Sequence, residues 1–190
     1  MKVLVIGAKG NLGGDLVRVF SAAGHQVVAM DREELDVRDA AAVRDRIGRG
    51  GYDAVLNAVA WNNVDGAEDP ANAPDVHALN VEAPRVMAEA ARDAGAAFVH
   101  YSTDYVFEGE KEEGYREDDE ARPVSSYGRS KLAGERAVAE VGGRWYVCRT
   151  SKLFGDPGTS GSSKPSFVSI MRKLAATKPE LGIVDDEVGM

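Results

Sequence analysis

Short apolar runs alternate along this chain with longer stretches of helical period. The runs KVLVIG (2–7), QVVAM (26–30), DAVLNA (53–58), AFVHYS (97–102) and WYVCRT (145–150) predict strands, and LGIV (181–184) predicts a weaker one. Apolar residues spaced for one helical face predict helices near 11–23, 39–47, 75–94, 125–141 and 164–177. Continuous apolar strands separated by helices are buried on both faces, so the expected class is α/β with a parallel sheet. The stretch EGEKEEGYREDDEARP (108–123) reads as an acidic loop, first as solvated surface and second as a lid. The sequence shows no solenoid repeat or low-complexity linker, and 190 residues fit one domain, 1–190.

Composition leaves that class intact and removes others. Hydrophobic residues make up 44% and charged residues 28%, an ordinary globular balance that suggests neither disorder nor a membrane protein. The net charge of −8 argues against nucleic acid as a partner, so an anionic ligand must be held by local groups. A single cysteine, Cys148, allows no internal disulfide, and the chain enters its first strand without a signal peptide. A cytoplasmic location is expected.

Local groups of the required kind follow the first strand. In GAKGNLGG, Gly7 permits a tight turn, Gly10 lets the backbone approach a pyrophosphate and Gly13 allows close helix–strand packing, with Asn11 and Leu12 opening the helix. The helix N-terminus turns unpaired N–H groups and its positive dipole end toward the phosphates. Strand, glycine loop and amphipathic helix (Leu12, Leu16, Val17, Val19, Phe20) in this order predict a doubly wound (Rossmann) parallel sheet with helices on both faces that binds a dinucleotide. The second strand ends in MDRE, where Asp31 suits the ribose 2′-hydroxyl of NAD(H) and Arg32 the 2′-phosphate of NADP(H), so the preference stays open. Asp36 and Val37 are candidates to flank the adenine, although Asp36 reads equally as a helix N-cap.

SSYGRSKLAGE (125–135) places Tyr127 and Lys131 on one face of a helix. A tyrosine of ordinary pKa, about 10, is a poor proton donor at neutral pH, and a nearby cation favours its phenolate. A fall of three units needs about 4 kcal/mol of differential interaction, which a close ammonium, a bound dinucleotide and poor solvent access can supply. Such a phenol can protonate a carbonyl oxygen as hydride reaches its carbon. Ser102, Thr103 and Asp104 lie at the carboxyl end of the fourth strand, where ligands of doubly wound folds bind, and a hydroxyl there can donate a second hydrogen bond. Ser102 and Thr103 face opposite ways and cannot share one role. His25, His77 and His100 lack metal-ligand spacing, and His100 reads as packed and hydrogen-bonded. Cys148, Trp61 and Trp145 read as core or cleft-wall residues.

Taken jointly, GAKGNLG, LNAVAWNNVDGAED, LNVEAPRVMAEAA, STDYVFEGEK, YREDD, SSYGRSKLAGE, RTSKLFG and VDDEVG resemble an extended short-chain dehydrogenase/reductase, and within it the dTDP-4-dehydrorhamnose reductase family, from Met1 to Met190. The resemblance implies NAD(P)H-dependent reduction of a keto group on a dTDP-sugar, the last step toward dTDP-L-rhamnose. It implies Tyr127 as acid, Lys131 as its electrostatic support and ribose ligand, and Thr103 as a hydrogen-bond donor. Asp104 matches a substrate contact, and Ala58, Ala60 and Asn80 match positions near the cofactor. Lys152 stands where the family usually carries a tryptophan near the substrate. Some members bind Mg²⁺ between subunits, near the position of Asp15, which makes a homodimer a further expectation; one carboxylate is not a metal site. Members continue beyond VDDEVG into a substrate-binding portion that this sequence does not include. The same resemblance covers a noncatalytic NAD(P)-binding regulatory subunit, like the beta subunit of methionine adenosyltransferase, and nucleotide-sugar epimerases and dehydratases.

Overall fold

The computed structural model describes residues 1–160 and 165–183. Strands β1 (Lys2–Ile6), β2 (Gln26–Met30), β3 (Ala54–Asn57), β4 (Ala97–Thr103) and β5 (Trp145–Thr150) form one parallel sheet in the order β2-β1-β3-β4-β5. Helices are α1 (Asn11–Ala22), α2 (Ala40–Gly50), α3 (Ala73–His77), α4 (Ala83–Asp93), α5 (Ser126–Val141) and α6 (Phe167–Thr177). Alternate residues of β1 serve opposite faces. Leu4 and Ile6 join Val43 and Ile47 of α2 and Val86 and Met87 of α4, whereas Val3 and Val5 pack with Leu16, Val17 and Phe20 of α1. The sheet is therefore doubly wound, and the chain reverses direction across it between β1 and β3. Phe98 of β4, 1% exposed, contributes about 2–3 kcal/mol of burial to the larger core.

The structure departs from the sequence pattern in a few places. The helix expected over 75–94 is α3, a wider π turn (Ala78–Glu82) and α4 in succession. Pro84 has no N–H to give the Asn80 carbonyl four residues earlier, so the α ladder cannot run through this point. That carbonyl lies against α5, where a Cβ on Gly134 would fall 2.0 Å from it. No strand forms over 181–183; residue 184, the rest of the VDDEVG motif, and residue 164 of the last expected helix lie outside the described residues. Val19 is 54% exposed, off the apolar stripe of α1, and Trp145 is exposed at the start of edge strand β5.

Candidate active site

All five strands point their carboxyl ends to one edge, and most of the sequence-predicted residues gather there. The glycine turn is built by close approach. Gly7 sits at φ +85°, its N–H donates to the Met30 carbonyl at 2.8 Å, and its own carbonyl accepts Gly10 N–H at 3.1 Å. A Cβ on Gly13 would lie 2.0 Å from that carbonyl oxygen, so only glycine lets α1 begin this close to β1. Gly10 is the N-cap of α1 and has no side chain to satisfy the first-turn N–H groups. A cavity of about 170 Å³ lies on one side of the turn between Gly10, Asn11 and the segment 156–159. Another of about 210 Å³ lies beside Ala8, Val17, Met30 and Asp31. A backbone cradle that a side chain would fill, an uncapped helix start and flanking cavities fit a dinucleotide diphosphate with its adenosine toward β2.

Asp31 is more than a ribose candidate. Its Oδ2 accepts Lys9 N–H and its Oδ1 accepts Arg32 N–H, both at 2.8 Å, which ties the glycine turn to the end of β2. Arg32 is exposed beside it. Asp36 grips Arg38 at 2.7 Å, which holds its carboxyl down to about 2, and the Val37 side chain belongs to the core. Leu12 is half-buried at the start of α1. After β3, Ala58 and Ala60 are half-buried, and Val59 presses on the Gly7 turn.

Tyr127 and Lys131 descend from the first turns of α5, whose start is fixed twice. Ser125 Oγ caps Gly128 N–H at 3.0 Å, and Glu68 accepts Ser126 N–H and Oγ–H at 2.6 and 2.7 Å. The Tyr127 ring packs against Ala67, Val76 and Trp61 and meets the Tyr105 ring edge-on at 5.8 Å. Thr103 Oγ1 accepts Tyr105 N–H and donates to Asp104 Oδ1, both at 3.2 Å. Ser102 faces away from Thr103, with its Oγ buried without a hydrogen-bond partner. Lys152 is exposed in the loop after β5.

The electrostatics differ from the sequence expectation. Burial pushes the Tyr127 phenol up rather than down; the Thr103 hydroxyl opposes this, and Asp104 and Tyr105 add to it. Lys131 donates its Nζ to the Tyr101 carbonyl at 2.7 Å, and burial lowers its ammonium to about 8 against a smaller opposing pull from Glu135. Tyr127 is thus a neutral phenol, weaker as an acid than a free tyrosine, the reverse of the lowering that the sequence suggested. Between about 8 and 10.5 the unfolded chain binds a proton at this lysine that the folded chain does not, so stability attributable to Lys131 rises with pH through that window. Lys131→Met is expected to be more stable than the native chain at pH 7, with the gap narrowing toward pH 10. Urea unfolding at both values checks this; above about 10, buried Tyr101, raised to about 12, acts with the opposite sign.

Two functional contacts escaped the sequence reading. Asn57, buried at the end of β3, accepts Val59 N–H at 3.0 Å and donates to His100 Nδ1 at 3.2 Å, pinning the turn that abuts Gly7. An asparagine closing an otherwise apolar strand was its only signal. Gly158 N–H donates to Asn11 Oδ1 at 2.8 Å and Ser160 N–H to the Lys9 carbonyl at 2.9 Å, bringing a distant loop onto the glycine turn. No local pattern announces it. Among the described residues no group of three or more His, Cys, Asp or Glu is placed to hold a metal, and Asp15 pairs with Arg18 at 2.7 Å. No helix among them is long and apolar enough to cross a membrane.

The sequence matches the family described as RmlD substrate binding domain over residues 1–190. It is 42% identical over 189 residues to a dTDP-4-dehydrorhamnose reductase of Burkholderia thailandensis, covering 100% of this chain and 60% of that protein. In structure it resembles a dTDP-4-dehydrorhamnose reductase of Clostridium acetobutylicum, with a TM-score of 0.90 and 34% identity over 98% of this chain and 64% of that one. It also resembles the Bacillus anthracis dTDP-4-dehydrorhamnose reductase in complex with NADP, with a TM-score of 0.87 and 30% identity over 95% of this chain and 61% of that one. The chain spans about three fifths of the length of these relatives.

Proposed function

The chain belongs to the RmlD substrate binding domain family, and on that premise we propose that it reduces the keto group of dTDP-4-dehydrorhamnose to give dTDP-L-rhamnose. The observation that carries this reading is the placement of Tyr127, Lys131 and Thr103 at the same sheet edge as the Gly7–Gly13 turn. A bound NADPH, or NADH, supplies the hydride. The glycine turn and the first N–H groups of α1 would hold its diphosphate, and Ala58 and Ala60, being small, would leave it room beside β3. Lys131, whose Nζ donates to the Tyr101 carbonyl, would hold a ribose hydroxyl of the bound cofactor and lend its charge to the phenol. Tyr127 gives its proton to the carbonyl oxygen as that oxygen gains charge, and Thr103 steadies the same oxygen by a hydrogen bond. Asp104, Ser102 and Lys152 are the residues assigned to the sugar side. A cytoplasmic homodimer belongs to the same reading.

Net oxidation of NADPH by dTDP-4-dehydrorhamnose, followed by nicotinamide absorbance, tests the reaction type. An epimerase or dehydratase would return the cofactor unchanged, and a regulatory subunit would bind it without consuming it. Cofactor choice has its own test. Asp31 is engaged by backbone N–H groups whichever cofactor binds, so Asp31→Ala should weaken NADPH and NADH alike by loosening the turn. Arg32→Ala should weaken NADPH alone, about tenfold or more, because a charge-assisted contact to the 2′-phosphate is lost. Equal affinities of the Arg32 variant and the native chain for NADPH would remove Arg32 from the site.

A further inference from the structure

Glu135 follows Lys131 by about one helical turn on α5, and both are buried, at 7% and 2% exposure. At this spacing and depth a carboxylate and an ammonium are expected to pair. Among the described residues they form no ion pair. Lys131 Nζ goes to the Tyr101 carbonyl, and both Glu135 oxygens are taken from β5 by Arg149, Nη2 to Oε2 at 2.7 Å and Nε to Oε1 at 3.0 Å. The same guanidinium also reaches outward. Its Nη1 donates to the Glu117 carbonyl at 3.2 Å, and its centre lies 5.1 Å from the Phe107 ring centroid. Phe107 stacks on Tyr115 at 4.2 Å, and the Tyr115 phenol oxygen accepts the N–H groups of Gly109, Glu110 and Lys111 at 3.0, 2.9 and 3.2 Å. The acidic stretch read from sequence first as solvated surface is therefore an organised loop, and Arg149 fastens it to α5.

We propose that Arg149 is a positioning residue of this site: by clamping Glu135 from β5 it withholds that carboxylate from Lys131, and it fixes the 108–119 loop against the helix that carries Tyr127 and Lys131. The inference rests on the reading of Lys131 as the functional lysine. Titratable and charged groups face Lys131 from the elements packed around it: Glu135 on its own helix, His100 and Tyr101 on β4, and Arg149 on β5 behind Glu135. Burial and the Lys131 charge hold His100 well below its ordinary value, so it stays neutral and adds no competing charge. Release of Glu135 is then the change that gives Lys131 a close counter-ion.

Lysine labelled with carbon-13 at Cε allows the Lys131 titration to be read by NMR in the 190-residue chain, without substrate or turnover. In the native chain one buried lysine should titrate near 8. Arg149→Met should raise that midpoint by about one unit, a tenfold gain in proton affinity, and should speed amide exchange at Gly109–Lys111. Glu135→Gln should move the midpoint down, and the double variant should lose the upward shift. Arg149→Lys keeps a charge but not the fork, and should give a smaller rise; it also serves if the methionine variant does not fold. An unmoved or lowered midpoint in a folded Arg149 variant overturns the proposal. Failure of the reductase reading looks different: the cofactor stays unconsumed while these titrations are unchanged.

Discussion

Gly13→Ala is expected to raise the dissociation constant for NADPH by about a hundredfold or more. The added Cβ would fall 2.0 Å from the Gly7 carbonyl oxygen and 2.7 Å from its carbon. Neither atom can yield by rotating a side chain, because both are backbone. The Gly7 carbonyl is held by Gly10 N–H, and the Gly7 N–H is held by Met30, so relief requires α1 to move away from β1. Overpacking against mobile neighbours costs about 1–3 kcal/mol, and a backbone collision of this depth should reach the upper end of that range or exceed it. The diphosphate cradle would be lost with it. Gly48→Ala, on the exposed face of α2, is the control, since its Cβ would meet nothing within 4 Å. It should leave affinity within about twofold and raise the melting temperature, because alanine is the better helix former by about 0.5–1 kcal/mol. Fluorescence titration of NADPH against both variants separates a steric cradle from a general effect of replacing a helical glycine.

Tyr127→Phe should lower turnover by about 10²–10⁴-fold while leaving NADPH affinity within about twofold. The ring contacts with Ala67, Val76 and the Tyr105 edge survive, so the fold should not register the change. Only the hydroxyl is lost, a group that stands protonated at neutral pH. The split between kcat and cofactor affinity is the diagnostic feature. A packing role would lower the melting temperature, and a binding role would weaken the cofactor.

The strands were legible because the inner strands of a parallel sheet covered on both faces are nearly continuous apolar runs, such as VLVI and AVL. Periodicity over 75–94 blurred α3, the π turn and α4 into one helix, although Pro84 marked the place where the ladder fails. The spacing of Tyr127 and Lys131 was visible, but spacing along a helix does not report depth. Burial, which raises the phenol and lowers the ammonium, appeared only with the surrounding packing. Charge pairs across long separations were invisible for the same reason. Asp31 was legible as a ribose candidate but not as the anchor of the glycine turn, because nothing local shows that Lys9, on another loop, offers it a backbone N–H. Arg149 was legible as a residue of β5, but its pairing with Glu135 showed only once β5 lay beside the turn of α5 that carries that carboxylate.

The most direct test of the central claim is to follow the hydride itself. The 190-residue chain would be mixed with dTDP-4-dehydrorhamnose and nicotinamide cofactor deuterated at its transferable position, and the nucleotide sugar examined by mass spectrometry. The account predicts one deuterium in each dTDP-L-rhamnose formed, matched by one oxidised cofactor, and loss of both with Tyr127→Phe. Unlabelled sugar with cofactor bound and unconsumed would contradict it and leave this fold as a dinucleotide-binding module alone.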